Sequence, residues 1–383
     1  KTMPRDKGVK DPQLLDWNAT QGHILTGGGK LNKFFVEGRD YNAPEDLPHY
    51  LKTARITSET YDKWHTDGYR NEDLVGAWRR PLFAGGWKES TEADTIVFNL
   101  QSPSLFIDIR FPLKRPEYLR AKSGFKELTM DELRCLARQH TFAGYTKIEP
   151  KDAKSAAPVA TRHHAIDWNY HPKFPRARPN RWRIELKDDG TSFKEFSVAL
   201  DSQQQAVYME RWALYPNGKG PYLALRRITE NAGGDTTGHE SLLVIVGNHF
   251  AYARDRAHPL PEFGSRLRAG GCANLVDAAY EREDRAKMIH MLDLEGSYGE
   301  VYDSSGRASW KIKKSTLPWK EGKQLINPND AHFLDSRSDD IPEILEVLGS
   351  KWKVYECSFT RRELEKMLYV GKSKSSTCTR SKL

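Results

Sequence analysis

The chain has 383 residues, long enough for two domains or one large domain with insertions. Hydrophobic residues make up 38% and charged residues 29%, which supplies a real core under a wet surface. The net charge of +8, from 60 basic against 52 acidic residues, is spread along the chain instead of forming a compact basic stripe, and this argues against nucleic-acid binding. No run approaches the roughly 18 apolar residues of a membrane helix.

In chain order, residues 1–73 read as a partly irregular N-terminal extension. "ILTGGGKL" (24–31) lacks phosphate-loop spacing, because Lys30 is followed by Leu31 instead of Ser or Thr. A short helix is predicted over 58–65. From Leu74 the pattern turns to strand after strand. In "SLFIDIRFP" (104–112), Leu105, Ile107, Ile109 and Phe111 alternate with Phe106, Asp108 and Arg110, giving one greasy face and one mixed face. "ELTMDELRCLARQH" (127–140) predicts a helix with a capping box at Thr129 and Glu132. Strands resume through 253, punctuated by turns such as "KDDG" and "YPNGKG". A helix is predicted over 272–292, a hairpin about "SSG", and two closing helices at "DIPEILEVLG" and "TRRELEKML", the last capped by Thr360 and Glu363.

Strands dominate without strict alternation with helices, which argues against a doubly wound α/β fold. Closure into antiparallel barrels removes the exposed edges of so many strands. About ten or more strands exceed one barrel of eight. The expected fold is therefore mainly β: two antiparallel barrels, or one barrel plus a half-barrel, with accessory helices. The expected division is 74–160 for the first barrel region, 161–325 for the second, 326–370 for a C-terminal helical segment and 371–383 for a flexible tail.

Gly76-x-Trp78 opens the first strand of this region and resembles the G-x-W signature of lipocalin-like proteins. Together with "TIVFNLQSPSLFIDIRFP", "AVYMERWALYP" and "SLLVIVGNHFAYA", it resembles a family of two-barrel, lipocalin-like proteins that includes a small fungal casein-kinase-interacting protein. The resemblance implies a cup-shaped fold, with the tryptophan plugging its closed end. It carries no catalytic residues over.

The densest chemistry lies in "TRHHAIDWNYHP" (161–172). Read as a regular strand, it turns His164, Ile166, Trp168 and Tyr170 one way, and His163, Ala165, Asp167, Asn169 and His171 the other. His163 and Asp167 then stand roughly 13 Å apart, too far for one metal ion to bridge. The polar face either looks outward or lines a cavity, where His163 and Asp167 would act as acid–base groups. Glu210 is a second candidate, sharing a face with Tyr208, Trp212 and Leu214. It is either ion-paired across the barrel, with Arg110, Arg211 or Arg226 as partner, or an acid–base group beside an arginine clamp. His249, on a very apolar strand, reads as a core histidine.

No G-x-S-x-G elbow or dinucleotide fingerprint appears, so serine hydrolysis and hydride transfer fall away. Four cysteines without C-x-x-C spacing fit a reducing compartment. The final Ser381-Lys382-Leu383 matches the address read by the peroxisomal import receptor. The resulting expectation is a peroxisomal barrel protein that holds a small hydrophobic or amphipathic molecule, such as an oxidised fatty-acid derivative. It would use no metal or other cofactor, with His163, Asp167 and Glu210 as catalytic residues for lyase or isomerase chemistry and Arg110, Trp168, Tyr208, Trp212 and Arg226 binding substrate. The alternatives are a non-catalytic ligand-binding or protein-interaction protein, and a haem-binding barrel using His249 or His140.

Overall fold

The computed structural model describes residues 72–85, 88–149, 159–171, 180–187, 189–197, 206, 208–229, 239–263, 271–327, 332–333 and 340–368. The readings placed on 24–31, on 58–65 and on Ser381, Lys382 and Leu383 lie outside the described residues.

The first sheet comprises β1 (Gly76–Gly85), β2 (Lys88–Thr91), β3 (Thr95–Gln101), β4 (Leu105–Pro112), β5 (His140–Glu149), β6 (Val159–Asp167), β7 (Asn180–Leu186), β8 (Ser192–Ser197) and β9 (Tyr208–Leu214). Neighbours pair antiparallel in the order β2-β1-β3-β4-β5-β6-β7-β8-β9, and β1 pairs again with β9. That second pairing closes β1 and β3–β9 into an eight-stranded barrel, with β2 as an arm. Between β4 and β5 runs α1 (Met130–Leu136), with the expected capping box: the Glu132 amide donates to Thr129 Oγ1, and the Thr129 amide donates to the Glu132 carboxylate.

The second sheet comprises β10 (Tyr222–Arg227), β11 (Ser241–Val246), β12 (His249–Arg254), β13 (Glu295–Tyr302), β14 (Ala308–Ser315), β15 (His332–Phe333), β16 (Ile344–Val347) and β17 (Ser350–Cys357). Its order is β14-β13-β12-β11-β10-β17-β16-β15 and its ends do not meet. Of the two architectures the sequence suggests, the molecule has the second: one closed barrel and one open antiparallel sheet. Helices α2 (Gly271–Glu281) and α3 (Arg285–Leu292) separate β12 from β13, and α4 (Arg361–Leu368) ends the described chain.

Three local expectations need correction. The boundary placed at 160/161 falls inside β6, which pairs with β5 and β7; the barrel continues to Leu214. The helix over 272–292 breaks in two at Glu283, whose φ is 55°, and α3 restarts on the Asp284 cap. "DIPEILEVLG" forms β16 and a tight turn into β17 instead of a helix. Leu348 and Gly349 both have positive φ there, at 55° and 65°, as a two-residue hairpin loop with the right twist requires.

The layers follow the alternation of the strands. Phe98, Leu100, Leu105, Ile107, Ile109 and Phe111 face out of the barrel and pack on Leu242, Val244, Val246, Ala251 and Ala253 of the second sheet. The far face of that sheet carries Leu223, Leu225, Leu243, Ile245 and Phe250 against Trp310, Trp352, Leu364 and Met367. A third apolar layer, with Trp78, Trp182, Phe193 and Trp212, fills one end of the barrel. Trp78 Nε1 donates to Leu74 O at 2.9 Å there, so the indole of the G-x-W stretch lies in this stopper. Burying each of the larger aliphatic or phenyl side chains contributes about 1.5–3 kcal/mol.

Candidate functional site: a charged network inside the barrel

The histidine cluster lies on β6, but not as a regular strand. Ala143 pairs with Ile166 while Gly144 pairs with His164, so Ala165 is an extra residue, a β-bulge. A Cβ on Gly144 would lie 2.0 Å from His163 O, so glycine is required for this close approach. The bulge shifts the alternation by one. Residues directly opposite on paired strands share a face. Tyr145, opposite His163, belongs to the core between barrel and sheet, whereas Phe142, opposite Asp167, looks into the barrel. His163 and Asp167 therefore point to opposite sides, and the expected catalytic pairing of the two is corrected. His164 joins Asp167 inside, with Nδ1 2.9 Å from Asp167 Oδ2. His163 is fully buried, and burial, with Lys147, His164 and Arg181 adding to it, holds its imidazole well below its ordinary value of 6.5.

Glu210 sits in the barrel, and its neighbours form the site. Arg80 Nη1 donates to Glu210 Oε1 at 2.7 Å, and Arg110 Nη1 stands 3.8 Å from the same oxygen. Arg110 also grips Asp108 through Nε at 2.7 Å and Nη2 at 3.1 Å, and Arg162 Nη1 reaches Asp108 Oδ2 at 3.5 Å. Glu195 faces Glu210 across the β8–β9 pair. It accepts hydrogen bonds from Tyr208 Oη and Trp212 Nε1, each at 3.2 Å. The alternation of each strand points these groups inward: Phe106-x-Asp108-x-Arg110, Phe193-x-Glu195 and Tyr208-x-Glu210-x-Trp212 line the interior of β4, β8 and β9.

Burial raises the Glu195 carboxyl, the charge of Glu210 raises it further, and it is pushed up to about 8. Burial also works to raise Asp108, but Arg110, Arg162 and Arg80 outweigh it and leave that carboxyl below its ordinary value. Arg80, Arg110 and Arg162 thus face Asp108, Glu210 and Glu195 inside the barrel.

Little room is left inside. A small cavity bordered by Trp78, Asn99, Gln101, Arg162, Trp182 and Phe193 has room for about one water. Asn99 Oδ1, Arg162 Nε and Trp182 Nε1 are without hydrogen-bond partners among the described residues. A ligand reaches the charged network most directly where the network meets solvent. There Arg110 retains 25% side-chain exposure. The half-buried ring of Phe142 lies 5.8 Å from its guanidinium, while Phe83, stacked on Tyr208 at 6.0 Å, lies 5.3 Å from the guanidinium of Arg80.

The other expected residues are dispersed. Tyr208, Trp212 and Arg110 join the network. Trp168 leaves the barrel for the core between barrel and helices. Arg226 lies in the second sheet, bound through two 2.8 Å hydrogen bonds to Glu240, and takes no part in the site. His249 uses both ring nitrogens, at 2.8 Å from Tyr298 Oη and 2.8 Å from Pro216 O, so it is a core histidine and offers no nitrogen to a haem iron. His140 is half-buried at the rim, 3.4 Å from Asn169 Nδ2. Arg80, Asp108, Arg162 and Glu195 were not singled out as site residues. Glu195 had a signal, the alternation of Phe193, Glu195 and Ser197 after the "KDDG" turn. Among the described residues, no three His, Cys, Asp or Glu side chains gather as metal ligands, and no helix is long and apolar enough to cross a membrane.

No family model and no curated protein matches the chain. A crystal structure of an uncharacterized protein, YLR301w from Saccharomyces cerevisiae, is similar over 74% of this chain and 99% of its own, at 13% identity and a TM-score of 0.39.

Proposed function

We propose that the barrel rim binds the acidic head of a small amphipathic molecule, such as an oxidised fatty-acid derivative. The observation that carries this reading is Arg110: a partly exposed guanidinium beside the ring of Phe142, joined to the buried carboxylates of Asp108 and Glu210. An anionic head would pair with the exposed edge of the Arg110 guanidinium, and an apolar body would lie across the Phe142 ring.

Native mass spectrometry of the full chain tests the reading. A recurring small acid that is lost in Arg110→Met and kept in His163→Ala supports it. A protein that carries no small molecule, or one indifferent to Arg110→Met, overturns it in favour of a protein-interaction role. A second reading, acid–base lyase or isomerase chemistry, is favoured by the Glu195/Glu210 pair, in which a protonated carboxyl stands opposite an ion-paired one. Under it, Glu195→Gln abolishes turnover of the bound acid without releasing it.

A peroxisomal address and its import receptor are proposed from Ser381-Lys382-Leu383 alone. A fluorescent protein bearing residues 371–383 at its C-terminus enters peroxisomes if the tripeptide is read and stays diffuse if it is not.

A further inference from the structure

Outside the barrel, two buried arginines lie against α2 with too few acceptors, Arg256 near its start and Arg138 on Asp277 further along it. Arg256 is 1% exposed. Its Nη2 donates to Trp168 O at 2.8 Å, but Nε and Nη1 have no acceptor among the described residues. Neighbouring Asp255 does not serve it as a counter-charge. One Asp255 oxygen takes the Arg256 backbone amide at 2.8 Å and the other faces His258 Nε2 at 3.1 Å.

Arg138 is equally buried. Its Nη2 lies 2.8 and 2.9 Å from the two oxygens of Asp277, while Nε and Nη1 are without acceptors among the described residues. Asp277 is shared with Arg134, whose Nε lies 2.7 Å away. One carboxylate thus answers to Arg134 and Arg138, and none to Arg256. Trp168, fully buried beneath the Arg256 guanidinium at 5.9 Å, holds a third donor without an acceptor, Nε1.

These groups converge on Cys272, the second residue of the eleven-residue α2. Burial pushes its thiol up to about 11 against the charges of Arg256 and Arg138, with Asp277 adding to the rise, and its backbone amide donates to Asn169 Oδ1 at 3.3 Å. The positive end of the helix dipole points the same way.

We propose that Arg256 and Trp168, at the N-terminus of α2, with Arg138 further along the same helix, form a buried site for a small oxyanion, the phosphate or carboxylate group of a ligand. A buried guanidinium without a counter-charge is strongly unfavourable. Water would satisfy its hydrogen bonds but not its charge, whereas an oxyanion satisfies both. The site is separate from the barrel rim, and neither reading depends on the other.

The test is the thermal midpoint of the full chain in sodium phosphate, in sodium acetate, and in sodium chloride at matched ionic strength. Phosphate or acetate is expected to raise the midpoint by about 3 °C or more over chloride. The better of the two names the source of the group. Arg256→Met is expected to abolish the shift. Trp168→Phe, which removes only the Nε1 donor and ring area, is expected to reduce it. Binding is read independently as broadening of the phosphate ³¹P line by wild type and not by Arg256→Met. Equal shifts in wild type and Arg256→Met, meaning an adventitious ion only, overturn the proposal. So does the absence of any shift in wild type.

Discussion

The inside of the barrel and the second sheet are built from the same antiparallel ribbons and filled in opposite ways. The sheet buries both faces in apolar side chains, with Leu223, Leu243 and Ile245 on one side and Leu242, Val244 and Val246 on the other. The barrel keeps its apolar layer at one end and fills its middle with Arg80, Asp108, Arg110, Arg162, Glu195 and Glu210. Apolar packing stabilises outright. A buried ion network only offsets its own desolvation when every member is present. A network in such a place is a departure from the most stable filling, as is expected at functional or strained sites.

The largest expected effect breaks the network from one side. Arg80→Ala leaves Glu210 buried without its 2.7 Å partner and is expected to destabilise by about 3–5 kcal/mol in urea unfolding. The double variant Arg80→Met, Glu210→Leu is expected to recover most of that loss. Failure to recover would show that the barrel depends on the ion pair for its shape. In the sheet, Leu243→Ala is expected to lose about 2–5 kcal/mol, with no partner change that restores it, because the loss there is cavity and contact area.

A pH series sharpens the contrast. Glu195 is pushed up from an ordinary 4.5 to about 8, so the folded protein holds that proton more tightly than the unfolded chain. Its contribution to stability is complete below about pH 4.5 and is lost as pH rises through about 8. Urea midpoints at about pH 5 and about pH 8 are expected to fall in wild type and to fall less in Glu195→Gln. The smallest effect is local: Thr129→Ala removes the cap of α1 and is expected to lose about 1 kcal/mol.

Much of the architecture was legible because alternation reports a strand's two faces. Leu105, Ile107, Ile109 and Phe111 sort from Phe106, Asp108 and Arg110 as the sequence predicts. Capping chemistry was equally readable at Thr129 and Thr360, since it needs only residues three apart. Two things were hidden. Insertion of Ala165 opposite the Ala143/Gly144 step reverses half of β6, and a bulge is set by the partner strand, not by the strand's own letters. The turn at Leu348-Gly349 was masked by the helix-like spacing of Ile344, Leu345 and Leu348. The site was half legible. Glu210, Arg110, Tyr208 and Trp212 carry their chemistry in one stretch or one alternation, but Glu195 joins them through the register of the β8–β9 pair and Arg80 only through barrel closure.

That closure has a consequence for how the protein is made. Arg80 and Glu210 are 130 positions apart along the chain, and the seam between β1 and β9 has its last strand at Leu214. During synthesis, β1 must wait with Trp78 uncovered until that last strand has left the ribosome. Such distant ends meet late and slowly. The half-made chain presents two raw ribbon edges in the meantime, and those edges are where a chaperone would have most to hold.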